Sequence, residues 1–263
     1  MKRLLKILSK RRYLLWVLVK NDLKMKYASS TLGFAWSLLE PLLIIGIYSL
    51  IFPTILHVDF LNWVLYFICG LIPFRFLRKG IIETTKSLVE RGEIVSKLKL
   101  PLIVIPLSKS ISCFINFLAE SFVFFLLALM FVKPTVLLLF LPIVVVSELL
   151  TVMGIGLYFS AYYPKYRDLD YILLVVFEAL FFLTPIVYRI EAIPKAYRDV
   201  YLLNPFARLI YVYQAIMLKS LPTFVETLPI ISNCLTMLVV SFIIFIVGIK
   251  IFLKRQYEAV GTV

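Results

Sequence analysis

Apolar runs of about 20 residues recur along the chain, separated by short polar punctuation. They fall at 34–56, 60–77, 110–132, 135–159, 170–188 and 228–252, and about 20 apolar residues is the length an α-helix needs to cross ~30 Å of hydrocarbon. None of the runs alternates with a period of two, which argues against an outer-membrane barrel. In lipid a helix satisfies every backbone group within one segment. The pattern therefore predicts an all-α integral membrane protein with six transmembrane helices. The turns at 57–59 and 133–134 are so short that each joins antiparallel neighbours.

Two segments outside the runs have patterns of their own. In residues 1–33, Trp16, Val19, Leu23 and Tyr27 recur at helical spacing beside Lys20, Lys24 and Lys26. This predicts an N-terminal amphipathic interface helix lying in the headgroup plane, its cations drawn to anionic lipid. It serves either as a topology anchor or as a docking surface for a cytoplasmic partner. Residues 1–12 are basic but lead to no small-residue cleavage site, so a removed signal peptide is not expected. The stretch 189–227 is too apolar for a solvated loop, yet 200–218 contains Asn204-Pro205, Arg208 and Gln214. A seventh crossing there would also put Lys250, Lys254 and Arg255 outside. Two short re-entrant external helices between spans five and six, broken at Asn204-Pro205, fit better.

Charge sets the orientation. The segments 1–33, 75–109, 160–169 and 250–263 carry 22 of the 28 Lys and Arg residues. Cytoplasmic loops carry the excess of such residues, so both termini are expected inside, at the cytoplasmic (inner) membrane. The net charge of +13 thus reads as membrane topology and not as a nucleic-acid footprint. Hydrophobic residues make up 62% of the chain and charged ones 16%, too few to coat a soluble domain of this size. Residues 34–263 are accordingly read as one membrane domain, with an inner loop at about 79–109 and an external feature at about 190–220.

Carboxylates inside the runs are the most expensive groups. Glu120, Glu148 and Glu178 fall near the middles of their spans, and Glu40 lies in the first third of its own. An acidic side chain at a helix centre costs roughly 2.5–3.5 kcal/mol to insert. These glutamates must be paired, neutral or aimed into a polar interior, as channel-lining groups or helix contacts. Arg75, near the end of the second span, must snorkel or face protein. Tyr48, Tyr66 and Phe74 either belong to ordinary aromatic packing or line a passage, where flat rings would stack on sugar C–H faces. The nine glycines include no P-loop pattern; Gly154 and Gly156 permit close helix approach. The sole histidine, His57, sits in a predicted turn, which leaves metal or triad chemistry without material. Cys69, Cys113 and Cys234 lack ligand spacing and read as buried free thiols. No enzyme is expected in this chain. The inner loop, with Glu90, Arg91, Glu93, Lys97, Lys99 and Pro101, is either a solvated positive-inside loop or a charged segment ordered by a partner that grips it.

The motifs in order resemble a family. Lys26-Tyr-Ala-Ser-Ser-Thr-Leu-Gly33-Phe-Ala-Trp36-Ser-Leu-Leu-Glu40-Pro41 looks like the approach to the first span of ABC-2-type permeases of polysaccharide exporters, which serve O-antigen, capsule and teichoic acid export. Gly70-Leu-Ile-Pro73-Phe74 resembles the family's second-span motif, with Phe74 where Trp is usual. Lys97-Leu-Lys99-Leu-Pro101 with Ile105-Pro106-Leu-Ser108 resembles its inner coupling loop. Tyr166-Arg-Asp-Leu169 and Thr184-Pro-Ile-Val-Tyr188 resemble its fifth-span block, and Leu203-Asn204-Pro205 its external gate.

The resemblance implies a half-transporter: a homodimer of this chain, joined by two copies of a cytoplasmic P-loop ATPase that bind ATP and Mg. This chain would hold no cofactor of its own. Glu90, Arg91, Glu93, Lys97, Lys99 and Pro101 would couple to the ATPase, and Asn204 and Pro205 would belong to the gate. The cargo implied is a glycan on a polyprenyl diphosphate lipid, with Arg75, Arg78 and Lys79 as candidates to receive the diphosphate. Two other readings stay open. One is an ion-coupled secondary transporter using the buried glutamates; the other is a membrane-embedded transferase acting on lipid-linked sugars.

Overall fold

A computed structural model describes residues 11–27, 31–33, 35–92, 101–219 and 230–260. Among them are nine α-helices and no strand: α1 (Arg12–Tyr27), α2 (Ala35–Leu56), α3 (Phe60–Glu90), α4 (Val104–Leu129), α5 (Leu141–Ser160), α6 (Leu169–Phe182), α7 (Lys195–Tyr201), α8 (Pro205–Leu218) and α9 (Ile230–Val260). A 3-10 turn, Val136–Phe140, leads into α5. The chain is an all-α membrane protein. Five units, α2, α3, α4, α9 and Val136–Ser160, are long and apolar enough to cross a bilayer. The predicted fifth span appears as α6, whose 14 residues reach only about 21 Å at 1.5 Å per residue, followed by irregular backbone.

The inner loop expected at 79–109 is mostly helix. α3 continues past residue 77 to Glu90, and α4 begins at Val104. The charges at 78, 79, 83, 86 and 90 leave an apolar face, on which Leu77, Ile81 and Leu88 are buried; that face packs and carries the helix onward. The connection shrinks to residues 91–103, of which Glu93, Lys97 and Lys99 lie outside the described residues.

α3 is the spine of the fold, touching α2, α4, α5, α6 and α8. α5 and α9 share the most extensive helix contact, and glycine makes it possible. A Cβ on Gly248 would stand 2.0 Å from the Gly154 carbonyl oxygen, and one on Gly154 would stand 2.7 Å from the Ile244 backbone. One turn away the Thr151 hydroxyl donates to Ser241 Oγ at 2.9 Å. Gly156 plays the same part toward α3, where its Cβ would meet the Thr84 methyl at 2.6 Å. Without a hydrophobic drive between helices in lipid, such close backbone approach is what holds them.

α1 lies against α4. Leu18 and Val19 are buried, whereas Trp16 is 48% exposed beneath the Lys20 ammonium at 5.6 Å. The packed face is therefore rotated from the predicted Trp16–Val19–Leu23–Tyr27 stripe toward Leu18, Val19 and Asp22. Asp22 draws it there by pairing with Arg91 at the end of α3.

Candidate functional site

The chain unwinds after α6. Residues 183–189 are irregular although Ile186 and Val187 are buried, so their carbonyls need partners from protein. α3 and α8 supply them. Trp63 Nε1 donates to the Val187 carbonyl at 2.9 Å, and the Tyr66 hydroxyl reaches those of Pro185 at 2.9 Å and Tyr188 at 3.1 Å. Gln214 Nε2 reaches Pro185 at 2.8 Å. Gly70 makes room, since its Cβ would lie 2.8 Å from that amide nitrogen. Tyr66 is thus a buried brace for the break.

Phe74 and Glu148 are buried as well. Phe74 is buried, with its ring edge-on to Phe177 and Phe181. Glu148 is fully buried and accepts from the Tyr213 hydroxyl at 2.7 Å, which ties α5 to α8. Tyr48 is half-buried and stacks on Phe52 and Phe67. With Trp63 these rings form a continuous pile between α2 and α3.

α8 begins at Pro205, and Asn204 caps it by accepting from the Phe206 N–H at 3.0 Å. The predicted break between α7 and α8 is therefore a cap. The start of α8 packs on α6 through Phe206 and Phe177. Its end, Leu218, packs with Leu65, Ala128 and Val132 near the α2–α3 and α4–α5 turns. Ahead of α8 in the chain the Tyr188 and Tyr201 hydroxyls bond; burial, then the neighbouring hydroxyl, raises the Tyr201 phenol above its ordinary value.

The charges converge on α3. Glu40 of α2 binds Arg75 at 3.0 Å and lies 4.0 Å from Lys79. Arg78 turns to Glu178 of α6 at 2.6 Å. The three candidate diphosphate ligands therefore do not share one site: Arg75 and Lys79 converge, and Arg78 faces away. Arg75 is 13% exposed, and its Nε has no partner among the described residues. A narrow cleft of about 20 Å³ runs between Arg75, Lys79, Lys26, Asn116 and Glu120, walled on its apolar side by Phe76 and Phe117. It shares Lys26, Lys79, Cys113 and Asn116 with a chamber of about 590 Å³ between α1, α3 and α4.

Ion pairs close that chamber. Arg91 pairs with Asp22, and Lys109 reaches Glu83 at 2.9 Å and Glu90 at 3.3 Å. Of the predicted coupling residues, Arg91 thus staples the interface helix to the end of α3, and Glu90 ties α3 to α4 through Lys109. The Pro101 carbonyl receives the Val104 N–H at 3.0 Å and opens α4. Sequence reasoning missed Asp22, Lys26, Glu83 and Lys109 as partners in one chamber. The available signal was the spacing of 75, 79 and 83 on α3 and of 109, 113, 116 and 120 on α4, which puts each set on one helical face.

One turn beyond Glu83 on α3, Lys86 binds Asp170 of α6 at 2.9 Å. The Arg167 and Arg255 guanidiniums lie over the Tyr163 and Tyr162 rings at 5.7 and 4.5 Å. Burial first, then the Asp170 carboxylate, raises the Tyr163 phenol. No cluster of three metal-ligating side chains occurs among the described residues, and the three cysteines are unpaired.

Comparison with known proteins places this geometry. Residues 13–218 match the family model described as ABC-2 type transporter. The chain is 30% identical over 249 residues to the O-antigen export system permease protein RfbA of Klebsiella pneumoniae, covering 93% of each chain. It is 27% identical to the protein of the same name from Myxococcus xanthus, covering 97% of each. It is also 23% identical to the polysialic acid transport protein KpsM of Escherichia coli, over 72% of this chain and 75% of that one.

Proposed function

Because the chain belongs to the ABC-2 type transporter family, we propose that it moves a lipid-linked cell-surface polysaccharide outward across the cytoplasmic membrane. It is a multi-pass permease subunit of an ABC exporter and not an enzyme; in this family ATP hydrolysis resides in a separate subunit. One observation carries the choice of cargo. The likeness to a permease named for O-antigen export spans 93% of both chains, so it covers the whole membrane domain and not a shared fragment.

In this reading two copies of the chain and two copies of a P-loop ATPase form the transporter, with ATP and Mg held by the ATPase. The homodimer is supported by the face made by α2, α3 and α6. Glu40 is 50% exposed and Glu178 58% exposed, while Leu43, Ile47, Ile172 and Val175 around them are exposed and apolar. Charges inside a span face protein or water and not lipid. A second copy set across a hydrated path supplies both. α1 and the 90–101 corner face the ATPase from the cytoplasm, where both termini lie. α7 and α8 form the re-entrant outer gate.

The ion-coupled alternative was motivated by buried glutamates, and Glu148 has a structural occupation in its bond to Tyr213. The test is co-purification of the chain with a candidate partner P-loop ATPase, reconstituted in proteoliposomes. ATPase activity and export of a lipid-linked glycan are expected only with both subunits. Export by this chain alone under an ion gradient would overturn the reading.

A further inference from the structure

We propose that a groove between α4 and α5 binds one tail of an anionic phospholipid from the leaflet at the α4–α5 turn, with Lys133 and Thr135 receiving its phosphate and glycerol end. That leaflet is the outer one in the proposed orientation. The site does not depend on what the permease carries.

Two cavities join to make the groove. The larger holds about 80 Å³. Cys69 and Ile72 of α3 and Tyr213 of α8 are buried at its floor, while Ser121 and Phe125 of α4 and Val145 of α5 stand half-buried at its rim. Tyr213 has already given its hydroxyl proton to Glu148, so the floor is almost wholly apolar. The smaller cavity holds about 10 Å³ and shares Phe125, Ala128 and Met217 with the first. It runs to Lys133 and Thr135 at the turn.

A hydrocarbon chain is the occupant that fits. Phe122, Leu126 and Val146 beside the rim are exposed, on helices other than α2, α3 and α6, so the groove opens to the bilayer. Water needs two to four polar partners, which the floor does not offer. A second helix, about 10 Å across, is too wide to enter. A lipid tail enters and restores the dispersion contacts that an empty space forfeits. The larger cavity has about half the volume of one that takes a benzene ring, ~150 Å³, so it takes the end of a tail while the rest lies along the rim. The length agrees as well. Phe117 and Ala128, which line the two ends of the larger cavity, lie about 16 Å apart along α4, one leaflet's share of a ~30 Å core.

The turn supplies the polar end. Lys133 is exposed and makes no ion pair among the described residues. The Thr135 hydroxyl is buried and has no partner among them, and a buried donor without an acceptor is costly. A phospholipid answers both, with a phosphate for the ammonium and an ester or phosphate oxygen for the hydroxyl. Its tail then bears on Tyr213 and Met217, and so on α8 and its bond to α5.

The experiment titrates the full chain, purified in a mild detergent, with palmitoyl-oleoyl phosphatidylglycerol and reads binding by native mass spectrometry. One lipid per chain is expected, held about fivefold more tightly than the matching phosphatidylcholine, the effect of one basic residue at an anionic surface. Lys133→Gln should abolish that preference. Ser121→Phe, which fills the rim, should weaken both lipids at least fivefold while melting like the wild type without lipid. A phosphatidylglycerol with a diazirine near the tail end should label segments 68–73 and 117–125. Equal binding of the two lipids to the wild type, or a preference intact in Lys133→Gln, would overturn the headgroup site. Labelling confined to other segments would overturn the groove, whatever the stability of Ser121→Phe. Palmitate binding as tightly as phosphatidylglycerol would overturn the phospholipid assignment.

Discussion

Gly248 carries no side chain because the Gly154 carbonyl oxygen lies where one would begin. Gly248→Val should therefore force α9 off α5. The clash is with backbone and not with a movable side chain, so the loss should reach or exceed the upper end of the usual overpacking range, about 3 kcal/mol. It would be read as a large fall in melting temperature in detergent, with Gly46→Ala as the control: nothing lies within 4 Å of a Cβ built there. Tyr213→Phe tests a polar contact at the same scale. It strands the Glu148 carboxyl in a fully buried position, which should cost about 1–3 kcal/mol. Adding Glu148→Leu should restore most of that loss; no recovery would mean that the hydrogen bond is not what joins α5 to α8. Gly154 was recognisable in the sequence as a candidate for close approach, but its partner was not, since nothing local marks Gly248 as its counterpart 94 positions on.

Helix ends and helix faces decide the next scale. The Asp22–Arg91 pair couples α1 to the end of α3, and the Lys109 bridges hold α3 to α4 there. If that corner receives the ATPase, Asp22→Arg should loosen α1 by about 3 kcal/mol, the usual cost of breaking a poorly exposed pair. ATP hydrolysis would then be uncoupled from export. The swap Asp22→Arg/Arg91→Asp should recover coupling; a swap as defective as the single variant would show that the pair has no such role. Charge reversal at Glu90 should weaken ATPase capture in a pull-down while the chain remains inserted, and unchanged capture would remove this corner from the interface. The sequence located the charged corner but shortened α3 by 13 residues. Charges at every third or fourth position look like a solvated loop until the apolar face made by Leu77, Ile81 and Leu88 finds its neighbours.

For the whole molecule the testable quantity is sidedness. In a variant without Cys69, Cys113 and Cys234, Lys133→Cys should react with an impermeant maleimide from outside the cell. Tyr166→Cys should react only after the inner face is exposed. Reaction of both from one side would invalidate the six-crossing arrangement. The membrane class, the positions of the long apolar helices, the break at Asn204-Pro205 and the absence of a nucleotide motif were all legible in the chain itself. Each depends on residues adjacent in sequence: hydrocarbon thickness sets run length, proline and asparagine set helix starts, and a P-loop is a contiguous string. Which buried charge meets which, that Tyr66 braces an unwound backbone, that Arg78 turns away from Arg75, and that Glu148 serves α8 were decided only by folding. Those facts depend on distances between segments up to 122 residues apart, and each helix's rotation about its own axis, which selects the partners, is set by packing against its neighbours.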